Sequence, residues 1–244
     1  MRRINPFFAL YLVVIYFPLA AVVTVLCAVV TTVMSLLFGN YYWGFYPGKV
    51  WARVLCYYAF VRVRVHGMEH CDSHKSYVFV PNHQSAFDVF VIYGWLKNPF
   101  KWIMKQDIRR IPFVGLACAA AGHVFIDRSS PMRAQHSIQR AAQKLSNGTS
   151  VVIFPEGRRT RDGRLGPFKR GAFFTAAELD MPIVPVSIKG ADSVLPYRAF
   201  YIKPGVIDLT IHIPRETTQL THNNINTFIE ETRQIVQQGI NAVS

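Results

Sequence analysis

No aspartate or glutamate occurs before Glu69, although Arg2, Arg3, Lys49, Arg53, Arg62 and Arg64 all lie in that stretch. Between Phe7 and Phe38 there is no charge of either sign. Cysteine is sparse as well: Cys27, Cys56, Cys71 and Cys118 stand far apart and form no Cys-x-x-Cys pair, which speaks against a disulfide framework or a zinc site. No helix-turn-helix, RNP or zinc pattern accompanies the net charge of +13, so nucleic acid is set aside as a partner. No internal repeat or low-complexity linker divides the 244 residues, and one α/β domain with an additional segment is the expected organisation.

What is present early on is apolar and aromatic. Hydrophobic residues make up 51% of the chain and mean hydropathy is +0.19, high for a freely soluble protein. The uncharged run exceeds the roughly 20 residues that cross a bilayer and far exceeds the roughly 7–15-residue core of a cleaved leader. Pro18 is expected to kink it. Gly39 to Gly48 holds Tyr41, Tyr42, Trp43, Phe45 and Tyr46, the composition of an interfacial belt. Lys49 to Phe60 reads as a second, amphipathic helix. Residues 1–60 are therefore expected to associate with a membrane and 61–244 to form the α/β domain. Two arrangements stay open: a spanning first helix with a cytoplasmic N-terminus, or a two-helix hairpin dipping into one leaflet. A basic, acid-free N-terminal quarter suits an anionic lipid surface.

After residue 60, strand and helix signals alternate. Strands are expected at Val61–His66, Ser76–Pro81, Phe100–Met104, Gly122–Ile126, Val151–Phe154, Ile183–Ile188 and Gly205–Ile213. Helices are expected at Phe87–Leu96, Pro112–Ala121, Pro131–Leu145, Lys169–Leu179 and Asn224–Gln238. This order predicts a mostly parallel central sheet flanked by helices.

The most informative stretch is Asn82-His83-Gln84-Ser85-Ala86-Phe87-Asp88, between a strand and a buried helix. Five residues apart on one helix, His83 and Asp88 would point about 140° away from each other. They meet only if His83 lies in the loop and Asp88 in the first helical turn. The carboxylate then fixes the tautomer through Nδ1–H, leaving Nε2 as a base that can deprotonate an alcohol. A blander reading competes, in which Ser85-x-x-Asp88 is a helix capping box. Ser85 is better explained as a cap than as a nucleophile, which favours direct attack by an acceptor hydroxyl over an acyl-enzyme.

A second constellation follows Val151–Phe154: Pro155-Glu156-Gly157-Arg158, then Arg159, Arg161, Arg164, Lys169 and Arg170. Gly157 permits a turn or close ligand approach, and an arginine fork suits a phosphate. Most of these cations can equally be a solvated loop facing anionic headgroups. Lys105 and Arg128 also fall at strand ends, where they can pair on the surface or join Arg158 beside His83 on one sheet edge.

At these residues the chain resembles the glycerolipid acyltransferase family, specifically its 1-acyl-sn-glycerol-3-phosphate acyltransferases. Its Asn-His-x4-Asp motif is matched by Asn82, His83 and Asp88. The others are matched in family order by Gly122-His123-Val124-Phe125-Ile126-Asp127-Arg128, by Phe154-Pro155-Glu156-Gly157-Arg158, and by Met181-Pro182-Ile183-Val184-Pro185-Val186. Asp127 departs from the arginine often found there. The resemblance implies transfer of an acyl group from acyl-CoA or acyl carrier protein to the 2-hydroxyl of lysophosphatidic acid, giving phosphatidic acid. It implies His83 as base oriented by Asp88, phosphate binding by Lys105, Arg128 and Arg158, and an acceptor site shaped by Glu156 and Gly157. No metal or redox cofactor is implied, and the expected place is the cytoplasmic face of the inner (cell) membrane. The same parts acting on another lysolipid, or a non-enzymatic basic membrane-surface adaptor, are the alternatives.

Overall fold

The computed structural model describes residues 5–126, 149–160, 163–199, 201–221 and 223–242. The expected helix at Pro131–Leu145, and Arg128 with it, lie outside the described residues. Within them, seven strands form one sheet in the order β1-β7-β6-β2-β5-β3-β4, with β1 at Val61–His66, β2 at Val78–Pro81, β3 at Phe100–Lys105, β4 at Val124–Ile126, β5 at Ser150–Val152, β6 at Ile183–Lys189 and β7 at Gly205–Ile211. Every neighbouring pair is parallel except β6 and β7. That one antiparallel pairing turns β7 and β1 around, so their carboxyl ends lie on the opposite edge from those of the other five strands. Alternating side chains from the central strands feed two cores. Phe79, Val152 and Val184 pack on one face with Phe87, Val91 and Ile92 of the helix Phe87–Trp95 (α3). Val78, Val80 and Val151 pack on the other with Ala172, Phe173 and Ala176 of Arg170–Glu178 and with Ile225 and Ile229 of Ile225–Ala242. Strands covered on both faces read as continuous apolar runs rather than alternations.

The uncharged N-terminal run is one long helix, α1, at Pro6–Phe38. Its 33 residues correspond to about 50 Å, more than the roughly 30 Å of a bilayer core. Leu12–Tyr16 forms a π-helical turn, in which Phe17 N–H donates to the Leu12 carbonyl five residues back. Pro18 supplies no N–H and its ring crowds the carbonyl of Val14; the widened turn directly before it accommodates both defects. Val22, Leu26, Val29, Val33, Leu36 and Leu37 are exposed. A buried helix of a soluble core does not leave such a row outside.

The second helix, α2, covers Tyr46–Tyr58 and starts three residues earlier than expected because Pro47 is well placed in a first helical turn. It packs on α3 and contributes Ala52 and Cys56 to the core. Polar pins fasten the hairpin turn to the sheet. Lys101 Nζ donates to the carbonyls of Asn40 and Ala121, both at 2.7 Å. His123 Nδ1 lies 3.2 Å from the Trp102 N–H and must accept from it. Its proton therefore sits on Nε2 and is donated to Tyr93 Oη at 3.1 Å, and the Tyr93 hydroxyl donates onward to the Gly44 carbonyl at 3.1 Å. Burial holds the His123 pKa down to about 3 and pushes Lys101 down to about 8.

Candidate active site

Strands β2 and β5 are neighbours, but the chain leaves them in opposite directions. From β2 it crosses to β3, beyond β5; from β5 it crosses to β6, beyond β2. Ligands of open α/β sheets bind in the crevice at such a switch point, outside the carboxyl ends of the strands. The two loops that begin there carry His83 and the Pro155-Glu156-Gly157-Arg158 turn.

His83 lies in the loop and Asp88 is the second residue of α3, the arrangement their spacing requires. His83 Nδ1 is 2.9 Å from Asp88 Oδ2. A carboxylate oxygen only accepts, so Nδ1 carries the proton and Nε2 keeps its lone pair. The same Oδ2 accepts the backbone N–H of Gln84 at 2.7 Å and of Ser85 at 2.8 Å, while Oδ1 is buried without a partner. Ser85 Oγ in turn accepts from Phe87 N at 3.3 Å and donates to the Leu195 carbonyl. The carboxylate that orients the ring thus also supplies one half of the expected capping box, the bond to the Ser85 N–H, while the Ser85 hydroxyl accepts from Phe87 rather than from Asp88. Asp88 is fully buried, in the first turn of α3, where the helix dipole favours a negative charge.

Glu156 is buried, and each of its carboxylate oxygens holds a backbone N–H: Oε1 that of His83 at 2.7 Å, Oε2 that of Gly166 at 2.8 Å. Burial raises its pKa, opposed by those two bonds. Glu156 therefore ties the His83 loop to the loop after β5. Thr160 N–H to the His83 carbonyl at 2.9 Å and Gln84 Nε2–H to the Gly163 carbonyl at 2.7 Å add to the same seam. Gly157 holds φ +74°, and a Cβ there would lie 3.1 Å from Lys169 Nζ; only glycine takes this turn without strain.

His83, Lys105, Gly157 and Arg158 line one cavity of about 450 Å³. Lys105 ends β3 and pairs with Asp107; Arg158 is exposed at the rim. Behind them the walls turn apolar. Ala28 and Thr31 of α1, Trp51 of α2, Val89 of α3, and Val114 and Ala117 of the helix Val114–Ala120 (α4) lead inward to Tyr93 and His123. Of the residues singled out from sequence, the structure brings His83, Asp88, Lys105, Glu156, Gly157 and Arg158 together, and Arg128 lies outside the described residues.

Three side chains take parts that the sequence did not assign to them. Phe154 stacks on the His83 ring at 3.8 Å between centroids, 15° from parallel, and Trp102 stacks on Phe154 at 5.4 Å. Asn82 is buried, donating to the Ile188 carbonyl at 2.9 Å and accepting its N–H at 2.7 Å, which locks the end of β2 to β6. Asn82 stood out in sequence as the first residue of the Asn-His-x4-Asp motif, without its structural part; nothing in one sequence points to the stacking of Phe154 with Trp102.

Known proteins resemble this chain in sequence and in fold. A 1-acyl-sn-glycerol-3-phosphate acyltransferase of Brassica napus is 31% identical over 229 residues, covering 92% of this chain and 64% of the relative. One from Arabidopsis thaliana is 36% identical over 168 residues, 68% of this chain and 47% of the relative. The chain thus spans less than two thirds of the length of these relatives. The crystal structure of PlsC from Thermotoga maritima, a 1-acyl-sn-glycerophosphate (LPA) acyltransferase, superposes with a TM-score of 0.80 at 26% identity, over 96% of this chain and 95% of that one. The acyltransferase family model matches residues 62–189, more than half of the chain and the whole stretch that builds the cavity mouth. This chain belongs to the acyltransferase family.

Proposed function

We propose that the protein transfers an acyl group from an acyl thioester, acyl-CoA or acyl carrier protein, to the 2-hydroxyl of lysophosphatidic acid, yielding phosphatidic acid. The observation that carries this reading is the His83 ring, tied through Nδ1 to Asp88, at the mouth of an apolar cavity whose rim holds Lys105 and Arg158. Nε2 of His83 takes the proton as the hydroxyl oxygen attacks the thioester carbonyl. Collapse of the tetrahedral intermediate breaks the carbon–sulfur bond, and the departing thiolate recovers that proton from His83. Asp88 stabilises the transient imidazolium, and Phe154 fixes the plane of the ring. Lys105 and Arg158 hold the acceptor phosphate, and the apolar walls take an acyl chain. No cofactor is needed for these steps.

The long exposed helix supports placement in a membrane, with the active site at the cytoplasmic face of the cell membrane, where acyl-CoA and acyl carrier protein are found. The test is purified full-length protein incubated with lysophosphatidic acid and labelled acyl-CoA or acyl carrier protein, with His83→Ala as control and other lysolipids as competing acceptors. Labelled phosphatidic acid formed by the parent protein and lost in His83→Ala is the expected result. Transfer that persists in His83→Ala, or that prefers a phosphate-free acceptor, refutes it.

A further inference from the structure

Beyond residue 60, six large apolar side chains are exposed among the described residues, and three of them, Ile111, Phe113 and Leu116, fall within six positions. Their exposures, 48%, 56% and 65%, match those of the outward row on α1. The backbone holds them outside. Phe113 takes φ +59° and ψ −50°, a positive-φ conformation that costs a bulky residue energy. Gly115 lies so close to the preceding turn that a Cβ would come within 2.2 Å of the Arg109 carbonyl oxygen. Gly115 N–H to Ile111 O at 2.8 Å and Ala117 N–H to Phe113 O at 2.9 Å close the loop, with Phe113 near its apex.

Two features say what covers this patch. The helix it leads into, α4, packs directly against α1, and the two share a wall of the cavity, so the patch continues the exposed apolar surface of α1. Arg109 and Arg110, both exposed, immediately precede it. Apolar tips behind a pair of arginines match the layering of an anionic leaflet, acyl chains below and phosphates above.

We propose that residues 109–116 form a second membrane contact, independent of the N-terminal helix. Ile111, Phe113 and Leu116 enter the acyl region, while Arg109 and Arg110 engage headgroup phosphates. With α1 and this loop both seated, the active-site domain has two anchors and a fixed tilt, and the wall shared by α1 and α4 stands at the depth of the leaflet. The inference rests on the membrane placement proposed above.

The test is tryptophan fluorescence of full-length Phe113→Trp, with Leu116→Trp as a second site, each read as a difference from the parent protein. The probe membrane is phosphatidylcholine–phosphatidylglycerol vesicles carrying mid-chain brominated lipid; Leu26→Trp on α1 reports the N-terminal helix separately. The expected result is loss of most of the emission at 113 and 116 to brominated lipid, with shielding from aqueous acrylamide. Adding Arg109→Gln and Arg110→Gln is expected to abolish the extra quenching that phosphatidylglycerol gives over pure phosphatidylcholine. Access to acrylamide without quenching by bromine overturns the proposal. Shielding from both overturns it too, and points instead to a second copy of the chain. If residue 26 is quenched and 113 and 116 are not, the second contact fails while the membrane placement stands; if none is quenched, the membrane placement fails.

Discussion

Replacing Asp88 by asparagine isolates the charge of the carboxylate from its geometry. Asp88 Oδ2 accepts three N–H groups, from the His83 ring, Gln84 and Ser85. Turning the amide so that its NH2 met these donors would set donor against donor three times over. The asparagine carbonyl is therefore forced into the Oδ2 position, and the His83 tautomer and ring orientation survive. What disappears is the negative charge facing the imidazolium. At about 4 Å and an effective dielectric constant of about 20, that attraction is about 4 kcal/mol, so the rate of acyl transfer should fall about a thousandfold. The new NH2 takes the buried place of Oδ1, which has no hydrogen-bond partner, and burying its two donors there should lower stability by about 1–3 kcal/mol. Single-turnover acyl transfer at saturating acceptor, with denaturant unfolding and 15N spectra of the imidazole, reads all three quantities. A variant within tenfold of the parent rate, with the ring tautomer unchanged, would refute the assignment of His83 as the group that gains a proton during the slow step. Asp88→Ala, which also strips the two backbone N–H groups of their acceptor, should be the less stable of the two variants.

Arg158→Ala should raise KM for the acceptor about five- to tenfold, as expected for an exposed charge-assisted contact, and leave KM for the acyl donor nearly unchanged; equal effects would reassign it to the donor. Gly48→Ala should cost about 1–3 kcal/mol of stability in denaturant unfolding, because its Cβ would lie 2.4 Å from the buried Tyr93 ring, which is hydrogen-bonded at its hydroxyl to both Gly44 and His123; an unchanged midpoint would show that α2 can shift freely. Because burial holds folded His123 neutral down to about pH 3 while the unfolded chain takes up the proton near pH 6.5, stability is full above the higher value and declines as pH falls through this window. The expected loss from this group between pH 7 and 5 is about 2 kcal/mol. His123→Gln should flatten that part of the pH dependence whatever its absolute stability, and an unaltered slope would contradict the buried-neutral assignment.

Much of the fold was legible because its signals are local. The alternation of Val61–His66, the apolar run before Pro81 and the breaks at Gly39 and Gly122 report backbone preferences that burial then reinforces. Boundaries moved where a single residue's conformation decided them. The helix expected from Pro112 begins only at Val114, since Phe113 takes a positive φ, and α2 begins at Tyr46 around Pro47. The mostly parallel sheet followed from the alternation of strands and helices, but the reversed direction of β7 could not be read. The alternation of Gly205–Ile211 is the same whether it runs with or against β6, and only the pairing shows that it runs against.

The site was legible to a different degree, for a reason that Asp88 and Glu156 make plain. A short motif such as Asn-His-x4-Asp reports groups within reach of one loop, and for Asp88 that was enough: capping and orienting draw on the same oxygen, so two readings that seemed to compete in sequence coincide in space. Glu156 stands 73 residues from His83, and a carboxylate beside arginines reads on sequence alone as part of their binding surface. In the fold its two oxygens are occupied by backbone N–H groups from two loops, so it positions the His83 ring through the loop that presents it. Charge in the sequence thus located the rim of the cavity, Lys105 and Arg158, whereas burial turned Glu156 inward. His83 is therefore held by two buried carboxylates, one at its ring and one at its backbone, and loosening either should move the ring relative to Lys105 and Arg158 at the cavity rim.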